Sequence, residues 1–587
     1  MPSGRLTLNW VGKDQALLTT PDGGYEWVDR TDPRVTEIRL LHERETVGAA
    51  GPDEHRAADN LLIHGDAADG LRSLLNLPEF AAEYRGKVKL VYIDPPFNTN
   101  QAFLHYDDAL EHSVWLTMMR DRLALIRDFL APDASVWVHL DDAEMAYCRV
   151  LMDEIFGRAN FVASVAWQKA DSTRNDAKRF SVDHDSILIY RASSGWDPNR
   201  LPRTAASDAR FSAQDGDPRA WFDDNPSAPG AKTHQGMVYA IQHPITGKLH
   251  YPARGRHWWT EQSQLLAVMC QYAPYELRDL DDSDTRADLC GTTASAVRGG
   301  VKGIVLAVPL EVAQNHAQAR YDQGDWPMVV LRSGGRGGLG RKSYVPSQGL
   351  VPSTWWSNDL VGHNRQAKAE IKALFPGMSA FDTPKPERLL QRIIHIGSQP
   401  GDIVLDCFAG SGTTAAVAQK MGRRWVTVEK EWKTFDSFTR PRLAMVTAGE
   451  DPGGITDAVG WHGGGGFRVL DVGPSMYDVT DDRVLLASWT SNGRFAAAAC
   501  AQLGFTVDDH PPFVGRRGRV WLAAVDGVAD ESVVRALVSN LDDKERLVIV
   551  AKAAEPGAES LLRELSSGSR LLKAPRDLVS MRRRARG

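Results

Sequence analysis

Cysteine is scarce in this chain. Its 587 residues hold five, Cys148, Cys270, Cys290, Cys407 and Cys500, with no C-x-x-C pair, which excludes a disulfide framework and a structural zinc site. Long apolar runs are also missing. None approaches the roughly 18 residues of a membrane-spanning helix, and Met1 to Trp10 lacks a basic flank leading into an apolar stretch. The expectation is a soluble, cytoplasmic protein. No segment repeats at a fixed period, which sets aside solenoids and propellers. Nor is there an excess of positive charge: the formal net charge is −6, an awkward figure for any protein that must hold a polyanion.

What is present matches a globular protein of several units. Hydrophobic residues make up 43% and charged residues 25%, enough to bury sizeable cores, and the length corresponds to roughly three to five domains. Val88 to Ile93 is an almost continuous apolar run that ends at two prolines, as a buried parallel strand would. Apolar residues at helical spacing follow from Val114 to Leu130, then a strand at Ser135 to Leu140, a helix at Ala143 to Phe156, and strands at Phe161 to Trp167 and Ser186 to Tyr190. From about 192 to 374 the periodicity weakens among scattered Trp, Arg, Gly and Pro, the character of an inserted domain. Strand and helix signals return at Pro386 to His395, Asp402 to Leu405, Thr413 to Met421 and Trp425 to Val428. After the glycines 463–466 a third α/β pattern begins.

Two loops carry chemistry. Asp406-Cys407-Phe408-Ala409-Gly410-Ser411-Gly412 lies between a predicted strand and a predicted helix, where glycines let a nucleotide-like ligand approach the backbone. Glu429 ends the next strand, placed to accept both hydroxyls of a ribose. A P-loop is disfavoured because no Gly-Lys-Ser/Thr follows, whereas a dinucleotide site stays open with Ala415 at the third glycine position. The second loop is Asp94-Pro95-Pro96-Phe97-Asn98-Thr99. Its fixed backbone presents a carboxylate, a free proline carbonyl and a flat ring, a set that suits a planar amino-purine. Hydrogen bonds from an exocyclic amine to Asp94 and the Pro95 carbonyl would release the nitrogen lone pair, and Phe97 would stack on an extruded base.

On these motifs, Asp94 to Phe97 and Phe408-Ala409-Gly410-Ser411-Gly412, the chain resembles the permuted (beta-class) DNA amino-methyltransferases that use S-adenosylmethionine. It is more closely similar to the modification subunits of type III restriction-modification systems. Supporting stretches are Asn9 to Asp14, Leu61 to Asp66, Gly362 to Asn364 and Phe381 to Pro386, and the resemblance runs over roughly residues 6–470. It implies an α/β fold with a Rossmann-like methyltransferase sheet, circularly permuted, an inserted target-recognition domain and a small C-terminal α/β domain. The implied division is 1–58 as an N-terminal extension, 59–191 as the catalytic half, 192–374 as the insertion, 375–460 as the cofactor half and 467–587 as the C-terminal module. It further implies S-adenosyl-L-methionine as cofactor, with Asp406, Phe408, Gly410, Gly412, Glu429, Asp66 and Lys385 binding it, and Asp94, Pro95, Pro96 and Phe97 as catalytic residues. Partners implied are double-stranded DNA, a second copy of the chain and a separate restriction subunit, since no helicase or nuclease motif is present.

Among methylation chemistries, cytosine C5 is disfavoured because no cysteine follows a proline. Asp94 favours adenine N6 over cytosine N4; the N4 reaction and a catalytically silent DNA-binding subunit stay as alternatives. Residues 225–260 contain no acid and include Arg254 and Arg256, and residues 326–358 contain none either while carrying Arg332, Arg336, Arg341 and Lys342. These six are the candidate DNA contacts. The C-terminal module reads as a dimerisation or docking unit, and Arg582 to Arg584 as a disordered solubilising end. No metal site is expected.

Overall fold

The computed structural model describes residues 6–20, 24–49, 51, 58–98, 111–173, 179–212, 214–379, 381–480, 483–491 and 493–584. The chain divides into two compact units, one formed by residues 1–199 with 351–587 and the other by residues 200–350.

The first unit is organised on a ten-stranded mixed sheet. In chain order its strands are β1 (Leu41–Gly48), β2 (Asn60–His64), β3 (Val88–Ile93), β4 (Leu130–Leu140), β5 (Phe161–Gln168), β6 (His184–Arg191), β7 (Trp355–Trp356), β8 (Ile403–Asp406), β9 (Arg424–Glu429) and β10 (Gly466–Val472). Their spatial order is β7-β5-β6-β4-β3-β8-β9-β2-β10-β1. The core from β4 to β2 is parallel, and β6 is the antiparallel strand that turns the sheet beside β4. This is the expected Rossmann-like sheet, and its permutation is visible in the pairing of β3 with β8, Leu90 opposite Val404 and Val91 opposite Leu405. Strands so buried read as continuous apolar runs because helices cover both faces. Every residue of β8 is buried, and in β3 all but Lys89 are.

Four helices matter for the cleft. They are α1 (Ala67–Asn76), α2 (His112–Phe129), α3 (Glu387–Gly397) and α4 (Thr413–Lys420). Asp66 caps α1 by accepting from the Ala68 amide at 2.7 Å, and Glu111 caps α2 through Ser113 and Val114. Leu389, Leu390, Ile393 and Ile394 recur at helical spacing on α3 and are all buried. Beneath these helices, Glu387, Lys420, Asp451 and Arg442 form a fully buried ionic cluster, with Lys420 Nζ 2.8 Å from Glu387 and 2.6 Å from Asp451.

Several boundaries differ from the sequence reading, each for a pairing reason. The inserted unit is narrower than 192–374, because Trp355 and Trp356 join the main sheet beside Ala166 and Trp167. The N-terminal segment is not merely an extension: β1 forms the sheet edge by antiparallel pairing with β10. The start of the C-terminal module likewise belongs to the main sheet, since β10 also pairs with β2. Beyond it lies a separate five-stranded sheet of β11 (Thr506–His510), β12 (Phe513–Arg517), β13 (Val520–Ala529), β14 (Arg546–Ala554) and β15 (Arg570–Lys573), hydrogen-bonded in that order. The end expected to be disordered is helical in its backbone from Arg576 to Arg584, while residues 585–587 lie outside the described set.

The second unit has its own core, centred on Tyr239, Ile241, Trp258, Leu265, Ile304 and Val329. In it, strand Leu339–Tyr344 pairs antiparallel with Trp221–Asp224, which sets Arg341 opposite Asp224 and Lys342 opposite Asp223.

Candidate functional site

Parallel strands deliver the loops at their carboxyl ends to one side of the sheet, and adjacency of β3 and β8 brings the two motif loops together. They share a cleft of about 780 Å³. Asp94, Pro95, Pro96 and Phe97 line it together with Asp66, Lys385, Asp406, Phe408, Gly410 and Glu429. Ten of the eleven catalytic and cofactor candidates therefore converge. The eleventh, Gly412, is not on the cleft wall: with φ of +78° it caps α4, and a Cβ there would meet Thr439 at 3.3 Å, so glycine is needed for the turn and the close packing.

Around Asp94 the geometry is asymmetric. Oδ2 accepts from Lys385 Nζ at 2.5 Å, whereas Oδ1 is buried without a hydrogen-bond partner among the described residues. Trp115 Nε1 donates to the Pro96 carbonyl at 2.6 Å and so anchors the loop, and among the described residues no donor occupies the Pro95 carbonyl. Lys385 also lies 5.1 Å from the centre of the Phe97 ring. The sequence reading gave Lys385 to the cofactor; in the fold it lines the same cleft and is paired with the carboxylate of the other motif.

On the glycine loop, the Phe408 amide donates to Asp406 Oδ1 at 2.9 Å, and the Gly410 amide donates to Glu429 Oε2 at 2.8 Å. Glu431 supplies a second amide to Glu429 Oε1, also at 2.8 Å. Burial pushes both carboxyls up to about 7, and the neighbouring Asp94 charge adds to the effect at Asp406. Each buried carboxylate keeps acceptor capacity toward the cleft, which suits an ammonium at Asp406 and a pair of hydroxyls at Glu429. Asp66 has less capacity to spare, because it caps α1 and pairs with Arg122 at 2.7 Å. Phe408 lies under that same guanidinium, 6.0 Å from it.

Two features escaped the sequence reading. Behind Phe97 stands His139, fully buried, with ring centres 5.7 Å apart and an interplanar angle of 30°. Its Nδ1 is 2.9 Å from the Tyr92 hydroxyl and its Nε2 is 3.3 Å from Asp185, which in turn pairs with Lys169 at 2.6 Å. Burial holds His139 below its usual range despite Asp185, so the neutral ring donates from Nε2 to Asp185 and accepts from Tyr92 at Nδ1. A histidine inside the apolar strand Ser135 to Leu140 was the available signal. The second feature is the N-terminal hairpin, Gln15–Thr19 with Tyr25–Asp29, whose Leu17, Thr19 and Tyr25 wall the cleft. Nothing local in the sequence marks that docking.

The six candidate DNA contacts separate sharply. Lys342 is only 3% exposed and sits 2.6 Å from Asp215 and 3.2 Å from Asp217, so it is a structural cation. Arg332 is held by both oxygens of Asp223, and Arg341 by Asp224 at 2.5 Å. Arg256 is spent on the Ser227 hydroxyl and carbonyl. Stretches without acids in sequence thus face acids across a strand pair, and a linear charge count cannot reveal that. Arg336 is exposed on a turn of three successive positive-φ residues, and the Arg254 side chain, 73% exposed, has Asp288 at 3.2 Å.

Comparison with known proteins places matches over most of this architecture. The N6_N4_Mtase family, described as DNA methylase, matches residues 88–266 and 290–440. The "Probable type III restriction-modification enzyme HindVI Mod subunit" of Haemophilus influenzae is 28% identical over 437 residues, covering 71% of this chain and 54% of the relative. The type III restriction-modification enzyme StyLTI Mod subunit of Salmonella typhimurium is 26% identical over 448 residues, covering 67% and 58%. The type II methyltransferase M.EcaI of Enterobacter cloacae is 25% identical over 444 residues, covering 73% and 75%. The chain spans little more than half the length of these two Mod subunits.

Proposed function

Because the chain belongs to the N6_N4_Mtase family of DNA methylases, we propose that it transfers a methyl group from S-adenosyl-L-methionine to N6 of an adenine extruded from duplex DNA. The observation that carries the reading is Asp94 Oδ1, a buried acceptor with no partner among the described residues, in one cleft with Pro95, Asp406 and Glu429. The residues present fit the cofactor. Glu429 would take the ribose hydroxyls, Asp406 the amino group, and Gly410, at φ of +51°, gives the loop a backbone turn that side chains rarely adopt and presents no side chain to the cleft. When bound, the cofactor supplies an electrophilic methyl on a sulfonium.

The chain's own residues do the rest. Asp94 Oδ1 and the Pro95 carbonyl accept hydrogen bonds from the two amine N–H groups, drawing the lone pair out of conjugation, and Phe97 holds the flipped base by its face. Lys385, paired with Oδ2, holds the Asp94 carboxylate turned so that its other oxygen meets the amine. As the amine acquires positive charge, Asp94 stabilises it and is the nearest acceptor for the released proton. Arg336 and Arg254, on the inserted target-recognition unit, are the remaining candidates for phosphate or groove contact. The same reading makes the chain the modification component of a restriction-modification or phage-defence system, working as a homodimer with a separate restriction subunit.

Incubation with labelled S-adenosylmethionine and mixed duplexes, followed by nucleoside analysis, tests the assignment. N6-methyladenine is the expected product. Label found solely on cytosine N4 would replace the adenine assignment, and no label in any duplex would sink the reading.

A further inference from the structure

The C-terminal sheet concentrates arginine at one end. Arg516 and Arg517 close β12, Gly518 with φ of +61° makes the turn, and Arg519 leads into β13. Arg546 opens β14 and Arg570 opens β15, and all five arginines are exposed. Pairing brings these positions together. The Arg546 amide donates to the Arg519 carbonyl at 3.0 Å, and a Cβ on Gly568 would meet Arg546 Nε at 3.1 Å, so that guanidinium lies along the turn entering β15.

Two of the cations are braced from below. Arg516 lies 4.7 Å from the Trp521 ring, itself stacked with His510 and Phe513, and Arg517 lies 4.6 Å from Phe505 while donating to the Leu503 carbonyl. Glu545 stands 3.6 Å from Arg516, and exposed Asp542 and Asp543 share its loop with Lys544. Arg519, Arg546 and Arg570 make no ion pair among the described residues. A chain with net charge −6 has therefore kept three arginines without an ion pair among the described residues at one end of three neighbouring strands: Val520, next to Arg519, is the partner of Arg546, and Arg570 stands opposite Val548, two residues further along.

We infer that this basic end of the C-terminal sheet is a second DNA-binding surface, one that holds the phosphate backbone of duplex flanking the methylation site without reading its sequence. The inference rests on the proposed DNA substrate. Guanidinium groups match phosphate oxygens two at a time, and their rigid placement on strands lowers the ordering cost of each contact. Backbone contacts of this kind add affinity and salt dependence but no base preference.

Binding of the full chain to a long fluorescent mixed-sequence duplex, titrated with salt, provides the test. Combined Arg519→Gln, Arg546→Gln and Arg570→Gln should reduce the slope of log K against log salt by about 2 to 3, near 0.9 for each phosphate no longer neutralised. Affinity should fall equally for all sequences, and affinity for S-adenosylhomocysteine should be unchanged. The corresponding triple Lys variant should restore most of the slope. If the triple Gln variant does not fold, Arg519→Gln alone, at an exposed turn, should lower the slope by about 1. A Gln variant with wild-type slope and affinity overturns the inference and leaves the methyltransferase reading intact; a basic end that served an acidic protein would give that result. A wild-type chain with no salt-dependent duplex affinity overturns both.

Discussion

Lys385 and Asp94 stand 291 residues apart in sequence, yet Lys385 Nζ lies 2.5 Å from Asp94 Oδ2. The ion pair joins the segment before α3 to the loop after β3 and occupies one carboxylate oxygen, while the other has no hydrogen-bond partner among the described residues. Asp94→Ala should lower the rate of methyl transfer by about 10²- to 10³-fold, as loss of a positioned electrostatic group does, with little change in cofactor affinity. Lys385→Met should lower kcat more than it raises KM for DNA. Single-turnover kinetics with titration of S-adenosylhomocysteine separate these effects, and a purely cofactor-binding Lys385 would instead weaken the titration.

Cofactor binding should depend on pH. Asp406 and Glu429 are both raised to about 7 by burial, so near pH 6 each is about nine-tenths protonated. An ammonium at Asp406 and hydroxyls at Glu429 favour the ionised forms. Affinity for S-adenosylhomocysteine should therefore fall by up to about tenfold per group for each unit below pH 7 and level off above pH 8. For the unliganded fold the sign is opposite: raised carboxyl pKa values stabilise most below about pH 4, and that contribution is lost as pH rises through 7. Calorimetry in two buffers of different ionisation enthalpy should detect proton release on binding at pH 6 to 7.

His139 positions Phe97 from behind. His139→Ala would open a cavity under the ring and leave Asp185 and Lys169 without their third partner, at a cost of about 2–4 kcal/mol in stability. His139→Gln keeps a donor and an acceptor and should preserve the fold better. Fluorescence of 2-aminopurine at the target position should show weakened base capture in both variants, while cofactor affinity holds.

In the inserted unit, two cations close in sequence should behave oppositely. Lys342→Met leaves the fully buried Asp215 without a cation, and Asp217 with only Arg219 at 3.6 Å, and should cost about 3–5 kcal/mol, visible as a lowered melting temperature. Arg336→Ala, on an exposed turn, should leave the melt within about 0.5 kcal/mol and weaken DNA binding. Equal effects of the two substitutions on DNA binding by folded protein would contradict this division.

The local sequence was sufficient wherever a property is local. Val88 to Ile93 and Ile403 to Asp406 are buried strands because nearly every side chain in them is apolar; the prolines after Ile93 and the glycines after Phe408 shape the loops whatever lies elsewhere. Motif composition was therefore enough to point to the family and to most of the cleft. What tertiary structure alone decided is pairing at long range: Lys385 with Asp94, His139 behind Phe97, the N-terminal hairpin on the cleft wall, and Asp215 to Asp224 against the arginines and lysine of residues 332–342. Charge is where the difference is greatest, because the field of a side chain depends on its spatial neighbours and not its sequence neighbours. The acid-free stretches of the insertion turned out largely neutralised across strands, whereas uncompensated arginines gather at the end of the C-terminal sheet, where the sequence alone had suggested only docking.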